Sequence, residues 1–493
     1  MRFNRNWDKL DKQSIRSMQD RKLKDFLRNQ VARFSPYYSR LAKEGKFPVD
    51  KVKTIEDLKY LPFTCKEDMV PSKDNPLKPR EFILQPDPKT VSNEITFARK
   101  FELIKRRFFK GESFKFQLLE EYLPVFFTAT TGRSALQVPF LYTHYDVLRL
   151  KESGRRLFEI SDMQPGRDTV LNLFPYAPHL AFWAVYSGAE SSNVPAFHSG
   201  GGRVMGTSRI LTLIPTLHPT AIAGVPGYIY HLLRVASEQG IDMSSVKRLA
   251  LGAERTTEGH RKKFKAFLKS CNADNVDVLS TYGLTEARMA FIECPGGECK
   301  GYHLYPDMGI FEIINPESGE RVGEGEPGEI VFTTLDSRGS VVVRFRTGDY
   351  AHGGIHTEPC PSCGRTIPRL DSNITRLSSK KELNLTKIKG TLINLSMVDE
   401  VIHHFSEIIE WQIEIGKVNN DPLENDKLTL HISVINGTDV GNLVRQLECK
   451  FIDVFEFTPN EINVETTEQV LQRLGMETEL KEKRIVDLRG NFG

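Results

Sequence analysis

Several loops rich in hydroxyl groups, glycines and charged side chains follow short apolar runs in this sequence. The first is Thr128-Ala-Thr-Thr-Gly-Arg-Ser134, which comes directly after an apolar run that begins at Leu123. Its hydroxyls, backbone N–H groups and cation suit an anion such as a polyphosphate. The Gly-x4-Gly-Lys-Ser/Thr spacing of a P-loop is absent, and on its own a plain Ser/Thr turn would look the same.

A second loop contains Tyr282, Gly283, Thr285 and Glu286 and follows the apolar run Val276–Leu279. The aromatic ring could stack on a purine, and the glycine could allow a sharp turn. The hydroxyl could touch a phosphate, and the carboxylate could hold Mg²⁺. This loop is therefore a candidate nucleotide and magnesium site.

Two further loops carry carboxylates. Asp349 ends the segment Arg344-Phe-Arg-Thr-Gly-Asp349, and a carboxylate in such a turn can accept hydrogen bonds from both hydroxyls of a ribose. Gly252, Ala253 and Glu254 lie between a predicted strand and a predicted helix. Four such loops in this order are much more specific than any one of them.

Five residues with soft donor atoms have spacing typical of a zinc site. They are Cys294, Cys299, His303, Cys360 and Cys363, the last two in a knuckle-like Cys-Pro-Ser-Cys-Gly. We favour Cys294, His303, Cys360 and Cys363 as the four ligands, with Cys299 as the substitute. Reduced thiols on turns are the alternative, and a redox Cys-x-x-Cys lacks its usual helix-opening context.

Between residues 168 and 300, short apolar runs alternate with helical patterns, which predicts an α/β sheet with crossover helices. The predicted strands are Thr169–Leu173, Thr220–Val225, Arg248–Gly252 and Val276–Leu279, and the predicted helices include Tyr228–Gln239 and Glu258–Leu268. Residues 1–60 have a helical pattern, and residues 86–117 are interpreted as an insertion or a long surface connection.

After residue 308 the pattern changes to β-like segments separated by glycine-rich turns. The predicted strands there are Ile310–Ile314, Gly328–Phe332 and Val341–Phe345. The polar stretch Asp371–Glu382 is predicted to be a linker, and the last hundred or so residues have a small βαβ-like pattern. The sequence thus predicts an α/β fold with a β-rich section and a separate α+β C-terminal domain.

Composition excludes several classes of protein. The 493 residues contain 67 Lys and Arg against 64 Asp and Glu, which does not favour a chain built to bind nucleic acid or an anionic membrane. No apolar run approaches the roughly 20 residues of a membrane helix, and the N-terminus lacks the apolar core of a secretory signal. Seven cysteines in so long a chain do not make a disulfide framework. We therefore expect a cytoplasmic protein.

Taken together, the motifs resemble the adenylate-forming superfamily, most closely its phenylacetate–CoA ligase branch, over nearly the whole chain. The similar segments are Leu61–Asp68, Thr128–Ser134, Gly252–Glu254, Tyr282–Glu286, Arg346–Asp349, Lys389–Gly390 and Lys481–Arg489. The resemblance implies an N-terminal domain at 1–378, which binds ATP and the acid and holds the zinc. It also implies a small mobile C-terminal domain at 379–493, which carries the catalytic Lys481.

The resemblance also assigns roles. Glu286 would hold Mg²⁺, Asp349 would fix the ribose, Tyr282 would pack on the adenine, and Thr131 would take part in catalysis. The other nucleotide contacts would come from Thr128, Thr130, Gly132, Arg133, Gly252, Ala253, Glu254, Gly283 and Thr285. ATP, Mg²⁺ and CoA are the implied cofactors, together with a structural Zn²⁺, since some relatives hold zinc at similar cysteine and histidine positions.

Residues that fall where relatives bind the acid are Phe174, Tyr176, His179 and Gly224. Their aromatic character is consistent with an aryl acid, although an aromatic-rich core segment would look the same. The implied partner is a small carboxylic acid, with a carrier protein as a possible acceptor, in a monomer or homodimer. No nucleic acid or membrane partner is expected.

The sequence departs from the family pattern at its moving parts. Ala129, Arg133 and Ser134 replace a glycine, a lysine and a proline of the phosphate loop, and Leu480 stands where a glycine is usual. The segment Ser379-Lys-Lys-Glu-Leu-Asn384 does not align cleanly with the hinge. We therefore predict acid activation by ATP and transfer to CoA, with two rivals: an adenylating enzyme that uses a non-CoA acceptor, and a degenerate nucleotide-binding regulatory module.

Overall fold

The computed structural model of the chain describes residues 3, 5–87, 101, 104–105, 108, 111, 114–130, 138–299, 301–377, 386–388, 391–393, 396–418, 426–455, 457–476 and 482–488. Among the described residues, two large buried cores and a small third one lie in the N-terminal region, and a fourth lies in the C-terminal region. This agrees with an α/β fold in two parts. The boundary at 378/379 stays a prediction, because residues 378–385 are outside the described ranges.

The helices predicted for the first 60 residues are confirmed. Asp11 caps the first of them by accepting a hydrogen bond from the Ser14 N–H, and Ser35 caps another that opens on Pro36. The helices of the described residues are α1 (Lys12–Phe26), α2 (Ala32–Phe34), α3 (Pro36–Lys43), α4 (Phe114–Tyr122), α5 (His144–Ile160), α6 (Leu180–Ser192), α7 (Gly202–Met205), α8 (Thr207–Leu217), α9 (Pro226–Gln239), α10 (Glu258–Ser270), α11 (Ser396–Ile402), α12 (Val440–Phe455) and α13 (Thr467–Leu474).

A six-stranded sheet forms the centre of the large region. Its strands are β3 (Val170–Asn172), β4 (Ala196–His198), β5 (Ala221–Gly224), β6 (Arg248–Leu251), β7 (Asp277–Leu284) and β8 (Met289–Ile292), in the order β4-β3-β5-β6-β7-β8. All neighbours are parallel except β7 and β8. The four strands predicted here are confirmed, because strands covered by helices on both faces read as continuous apolar runs.

The connections of this sheet reverse direction between β3 and β5. β3 leads to β4 on one side, whereas β5 leads to β6 on the other. In open α/β sheets, ligands bind in the crevice at the carboxyl ends of the strands where the order reverses. The topology therefore predicts a ligand site at the loops that follow β3, β5, β6 and β7.

The β-rich section is an antiparallel sheet of β10 (Gly309–Ile314), β11 (Gly328–Thr334), β12 (Phe345–Ala351) and β15 (Ile374–Arg376), in that order. The remaining strands of the large region are β1 (Pro124–Ala129) with β2 (Pro139–Thr143), and β9 (Gly301–His303) with β13 (Ile355–His356) and β14 (Arg369–Asp371). The predictions for β1, β10 and β11 are confirmed within a few residues.

Two sequence predictions in this section are wrong. The strand expected at Val341–Phe345 starts only at Phe345, because the backbone before it bonds elsewhere: the N–H of Val343 donates to the Tyr38 hydroxyl, and that of Arg344 donates to the Thr333 hydroxyl. The linker expected from residue 371 begins later, because Ile374–Arg376 pairs with β12 as strand β15.

The C-terminal region is a four-stranded sheet with helices packed on it. Its strands are β18 (Ile408–Lys417), β19 (Asp426–Val434), β20 (Glu461–Val464) and β21 (Ile485–Asp487), in the order β20-β19-β18-β21, preceded by the hairpin of β16 (Thr386–Ile388) and β17 (Thr391–Ile393). β19 and β20 are parallel and joined through α12, so the predicted βαβ pattern is confirmed.

The N-terminal segment crosses the large region and fastens a distant loop. Trp7 is fully buried, and the Arg156 guanidinium lies 4.3 Å from its ring. The neighbouring Asp8 forms an ion pair with Arg365 at 3.1 Å, and its carbonyl accepts a hydrogen bond from the N–H of Thr366 at 3.1 Å. The segment thus holds the turn that follows Cys363.

None of the helices within the described residues combines the length and the apolar character needed to cross a membrane.

Candidate active site

Asp349 lies on β12 where the antiparallel sheet meets the carboxyl edge of the parallel sheet. Its two carboxylate oxygens are already oriented: one accepts a hydrogen bond from the Tyr282 hydroxyl at 2.8 Å, and the other faces the Arg376 guanidinium at 3.0 Å. Burial raises the pKa of the Asp349 carboxyl, and the nearby charge of Arg376 opposes that shift. Each oxygen has a further lone pair, so the carboxylate can still accept hydrogen bonds from a vicinal diol.

Arg376 is a site residue that the sequence analysis missed. It faces Asp349 because the two residues are paired across β12 and β15, and its guanidinium also donates to the Thr347 carbonyl at 3.1 Å. The sequence signal was one arginine inside the predicted linker Asp371–Glu382. Its partner lies too far along the chain for any local spacing rule.

Tyr282 is on β7, and its ring stacks at 26° to the Phe291 ring and at 28° to the Tyr302 ring. Its hydroxyl is committed to Asp349, so the ring cannot turn freely. A purine that packs on Tyr282, as the sequence predicts, would therefore contact a ring whose orientation is fixed. Gly283 beside it is exposed, which leaves this part of the loop accessible.

Glu286 follows β7 and is partly exposed, with Thr285 beside it. Burial of the carboxyl raises its pKa to about 7, and Asp349 adds to the shift, whereas the charges of Arg376 and Lys66 oppose it. A carboxyl with this pKa gains from binding a cation, because the cation stabilises its charged form. Glu286 is thus suited to a divalent cation, and its role as a magnesium ligand stays a prediction.

The loop after β6 has the tight geometry that its glycine predicts. A Cβ at Gly252 would overlap the Thr281 hydroxyl, and that hydroxyl donates to the Leu251 carbonyl at 3.0 Å. Ala253 has a φ of 70°, in the left-handed region that an alanine rarely adopts. Together with Glu254, these residues border the same edge as Tyr282.

Only the start of the predicted phosphate loop lies within the described residues. Thr128 is fully buried, and its hydroxyl is 3.1 Å from that of Tyr142, so its oxygen contributes to the core. The Thr130 N–H donates to the Val138 carbonyl at 3.2 Å. Thr131, Gly132, Arg133 and Ser134 fall outside the described residues, and their roles stay predictions.

The loop after β3 lies beside the phosphate loop. The N–H of Ala129 donates to the Pro178 carbonyl at 2.7 Å, and the Ala129 carbonyl is 3.4 Å from Nδ1 of His179. His179 thus contacts the start of the phosphate loop. Its prediction as a residue of the acid pocket stays untested.

Aromatic rings occupy the switch point of the sheet. Phe174 is buried, whereas Tyr176 is 67% exposed, and its ring centroid is 5.8 Å from that of Trp183. Trp183 also contacts the rings of Phe126 at 5.0 Å and Phe182 at 5.3 Å. The rings meet Trp183 at angles of 55° to 81°, so the cluster offers both ring edges and ring faces near the ends of the strands.

Gly224, the last residue of β5, is buried and closely packed. A Cβ at this position would lie 2.9 Å from Ile229 and 3.4 Å from Leu173, so a larger residue would force these side chains to shift. Next to it, the Asn172 amide is 3.0 Å from Nδ1 of His198, and burial lowers the pKa of this imidazole. The prediction of Gly224 as a residue of the acid pocket stays untested.

The four favoured zinc ligands come together away from this crevice. One ligand atom from each of Cys294, His303, Cys360 and Cys363 lies within 4.8 Å of every other. The Sγ atoms of Cys294 and Cys360 are 3.6 Å apart, and Sγ of Cys363 is 3.3 Å from Nε2 of His303. Cys299 lies close by, and its thiol donates to the Gly301 carbonyl at 3.2 Å.

The C-terminal residues predicted to complete the site lie only partly within the described part of the chain. Leu480, Lys481, Lys389, Gly390 and residues 379–384 are outside it. Glu482, directly after Lys481, is described and lies against Gly227 at the start of α9. The C-terminal region thus contacts the same edge of the sheet as the nucleotide loops.

Comparison with known proteins agrees with this geometry. A family model described as AMP-binding enzyme matches residues 141–335. A phenylacetate-coenzyme A ligase of Thermus thermophilus is 25% identical over 423 residues, covering 83% of this chain and 81% of that one. A phenylacetate-coenzyme A ligase of Aromatoleum evansii is 24% identical over 488 residues, covering 98% of this chain and 96% of that one.

Among solved structures, 2-hydroxyisobutyryl-CoA ligase in the postadenylation state has a TM-score of 0.72 at 19% identity, with 99% of this chain and 92% of that chain covered. The fold therefore extends over both regions of the molecule. The chain thus contains a match to the AMP-binding enzyme family over residues 141–335, and it resembles phenylacetate-coenzyme A ligases over most of its length.

Proposed function

We propose that this protein activates a carboxylic acid, in particular an aryl acid, with ATP to form an acyl adenylate, and then transfers the acyl group to CoA. One observation carries the proposal: Asp349, Tyr282, Arg376 and Glu286 converge on the carboxyl edge of a parallel sheet in a chain with an AMP-binding domain. Each of these side chains has a distinct task in binding a nucleotide.

In the first half-reaction, an oxygen of the acid attacks the α-phosphorus of ATP, and pyrophosphate leaves with the electrons of the broken P–O bond. A carboxylate is a weak nucleophile that phosphates repel, so positioning and charge neutralisation supply most of the catalysis. Asp349 would accept hydrogen bonds from the ribose hydroxyls, and the fixed ring of Tyr282 would contact the adenine. The guanidinium of Arg376 keeps Asp349 ionised for this purpose.

Glu286 is the residue that would hold Mg²⁺, since its carboxylate is partly exposed at the site and its raised pKa favours a bound cation. When bound, the ion neutralises charge on the phosphates. Thr285, beside Glu286, and the phosphate-loop residues Thr130, Thr131, Gly132 and Arg133 would contact the phosphate oxygens.

Lys481 would stabilise the negative charge that develops as the carboxylate attacks and pyrophosphate leaves. Since it belongs to the C-terminal region, the site would be complete only when that region lies on the sheet edge. In the second half-reaction, the CoA thiolate would attack the acyl carbon and AMP would leave, with the thiol proton passing to solvent. The role proposed for Lys481 is confined to the first half-reaction, in which pyrophosphate leaves.

The acid would lie near the aromatic cluster at the carboxyl ends of the strands. Phe174, Tyr176 and Trp183 supply apolar ring surface there, and Tyr176 is 67% exposed. Contacts between aromatic rings would favour an aryl acid. ATP and CoA are cytoplasmic metabolites, so the proposal keeps the cytoplasm as the place of action.

The direct test is a screen of aryl and aliphatic acids for pyrophosphate release, run with and without CoA. We expect acid-dependent pyrophosphate release and, with CoA, formation of a thioester. Pyrophosphate release without any thioester would favour a different acceptor, a carrier protein included. No pyrophosphate release with any acid would leave a regulatory nucleotide-binding module as the better interpretation.

We also propose a structural zinc ion bound by Cys294, His303, Cys360 and Cys363. Ligands about 2.0–2.3 Å from Zn²⁺ in a tetrahedron are roughly 3.3–3.8 Å apart, which the 3.3 Å and 3.6 Å separations match. In addition, Nδ1 of His303 is 3.3 Å from the Ile292 carbonyl. A hydrogen bond to that carbonyl would leave Nε2 free to bind the metal.

Elemental analysis of protein purified without chelators should give one zinc per chain. Cys363→Ser should then lower the melting temperature by at least about 5 °C, while the affinity for ATP changes less than about twofold. The exposed Cys449→Ser is the matched control and should change neither. Metal-free protein with wild-type stability would contradict the zinc site.

A further inference from the structure

The C-terminal region contacts the large region at the start of helix α9 through the carboxylate of Glu482. The side chain of Glu482 is only 10% exposed. Its carboxylate lies so near Gly227 that a Cβ on residue 227 would overlap it. Gly227 does not have a positive φ, so its backbone would accept an alanine, and the three atoms nearest to such a Cβ all belong to Glu482.

The start of α9 is a favourable place for a carboxylate. Its N-cap residue, Val225, offers no side chain to bond the first N–H groups of the helix. The N-terminal end of a helix carries partial positive charge, and an acidic group there is stabilised. Glu482 provides that acidic group from the other region of the molecule.

Glu482 is itself held in place by a charge network within the C-terminal region. Arg484 pairs with both of its oxygens, at 2.6 Å and 3.0 Å, and also with the fully buried Glu410 at 3.0 Å. The Arg484 guanidinium further donates to the Trp411 carbonyl at 3.2 Å. A carboxylate fixed by a buried arginine cannot change its direction without breaking these pairs.

The backbone on the far side of Glu482 is fixed as well. The Gln412 amide donates to the Lys483 carbonyl at 2.7 Å, and the N–H of Ile413 donates to the Arg484 carbonyl at 2.8 Å. Both donors belong to β18. The chain after Lys481 is therefore attached to the C-terminal sheet, while Glu482 meets the large region.

We propose that Glu482 is a positioning residue for acid adenylation: by docking against Gly227, it holds the C-terminal region on the sheet edge with Lys481 one residue away. The inference rests on the proposed function, because it assumes that Lys481 acts in the first half-reaction. It adds a residue pair, Glu482 and Gly227, to that function. The Glu482–Gly227 contact is needed for adenylation and not for thioester formation.

The test measures the two half-reactions separately in Glu482→Ala and Gly227→Ala. Each variant should slow acid-dependent pyrophosphate formation about tenfold or more through kcat. Formation of thioester from supplied acyl adenylate and CoA should stay within about twofold of wild type. Since both changes remove the same contact, the double variant should be no slower than the slower single variant.

Gly227→Ala also guards against misfolding as an explanation. Alanine favours a helix more than glycine does, so the substitution itself should not destabilise α9. In the Glu482→Ala background, where the contact is already absent, adding Gly227→Ala should leave the melting temperature unchanged or raise it. The matched control is Gly416→Ala on β18, where a Cβ would meet nothing within 4 Å. Glu482→Gln keeps the shape without the charge and should recover part of the adenylation rate lost in Glu482→Ala.

Wild-type pyrophosphate formation in Gly227→Ala would overturn the proposal, and so would an equal loss in both half-reactions. Hydrogen exchange of the first turn of α9, measured without substrates, separates this failure from failure of the proposed function. Faster exchange in Glu482→Ala than in wild type supports the docking contact. If the wild-type protein then forms no adenylate with any acid, the proposed function fails, and the positioning role fails with it.

Discussion

The sheet edge that carries Asp349 is stabilised differently from the surface of α9 and α10 that contacts the C-terminal region. We call this second place the receiving surface. At the edge, Asp349 is fixed by Tyr282 on β7 and by Arg376 on β15, the strand paired with β12, all in the same region. At the receiving surface, the Tyr230 hydroxyl donates to the Ile409 carbonyl at 2.9 Å, and the Lys263 amine to the Ile408 carbonyl at 3.3 Å.

This difference fits the functions proposed for the two places: charge stabilisation at the sheet edge, and reversible contact at the receiving surface. Groups that stabilise charge must be oriented before the substrate arrives, which a network inside one region provides. If the C-terminal region moves as predicted, its contacts must break at low cost, and single bonds to backbone carbonyls can be replaced by water. The strongest effects of substitution should therefore come from the edge, and smaller ones from the receiving surface.

Asp349→Ala should have the largest effect. Removing the acceptor of two ribose hydrogen bonds, each worth about 1.5–3 kcal/mol to a charged group, should slow adenylation about a thousandfold. Acid-dependent exchange between pyrophosphate and ATP measures the loss. The control is Asp371→Ala, an acidic residue on the adjacent β14. Near wild-type exchange in Asp349→Ala would remove its assigned role.

Glu286→Gln should slow adenylation about a hundredfold at pH 8, by removing the charge that holds Mg²⁺. Because the pKa of Glu286 is about 7, the wild-type carboxyl gains a proton as the pH falls below 7. The wild-type adenylation rate should therefore fall about tenfold per pH unit below that value, which gives the pH profile an acid limb. The Glu286→Gln variant should lack this acid limb. The exposed Glu317→Gln should keep the limb. An acid limb that persists unchanged in Glu286→Gln would assign it to another group.

Arg376→Gln should raise the KM for ATP about tenfold, an effect of one charged hydrogen bond. The positive charge of Arg376 lowers the pKa of both Glu286 and Asp349, so its loss should move the acid limb of adenylation to higher pH. A pH profile of kcat/KM measures the shift. Arg376→Lys keeps the charge and should leave the limb near its wild-type position. A limb that does not move in Arg376→Gln would argue against coupling between these groups.

His260 tests the receiving surface. Burial lowers the pKa of its imidazole to about 3, and His403, Arg484 and Lys263 act in the same direction, whereas Asp399 opposes them. The His260 and His403 rings are 4.5 Å apart across the contact. An undocked His260 would gain a proton near pH 6.5 and the docked one would not, so acid favours separation. The equilibrium constant for docking of the C-terminal region should therefore fall about tenfold by pH 5.5.

Hydrogen exchange of α9 and α10 as a function of pH measures this effect. His260→Gln should remove most of the pH dependence, whereas the exposed His144→Gln on α5 should retain it. Protection that does not change between pH 7 and 5.5 in wild type would show that His260 does not control docking.

Much of the fold and part of the site could be predicted from the sequence because the signals are local. The strands of the parallel sheet are continuous apolar runs, and the loops at their ends carry the nucleotide residues. The proximity of Cys294, His303, Cys360 and Cys363 could be predicted from the spacing of Cys360 and Cys363 together with the earlier cysteines.

The rest depends on contacts between distant residues. Arg376 faces Asp349 only because β15 pairs with β12, and no local pattern encodes that register. Thr128 looked like a phosphate contact, but its hydroxyl bonds the buried Tyr142. The prediction of a strand at Val341–Phe345 was wrong for the same reason. The backbone N–H groups of Val343 and Arg344 donate to the hydroxyls of Tyr38 and Thr333.

The N-terminal segment has a consequence for how the chain is made. Asp8 pairs with Arg365 across 357 residues of sequence, and Trp7 cannot be buried until Arg156 and Tyr305 are present. At a synthesis rate of about 5–20 residues per second, Asp8 waits roughly 20–70 seconds for its partner to be made. During that interval the indole of Trp7 is exposed on the ribosome, where it is a ready target for chaperones. The large region therefore completes its folding only after the cysteine loop has left the exit tunnel.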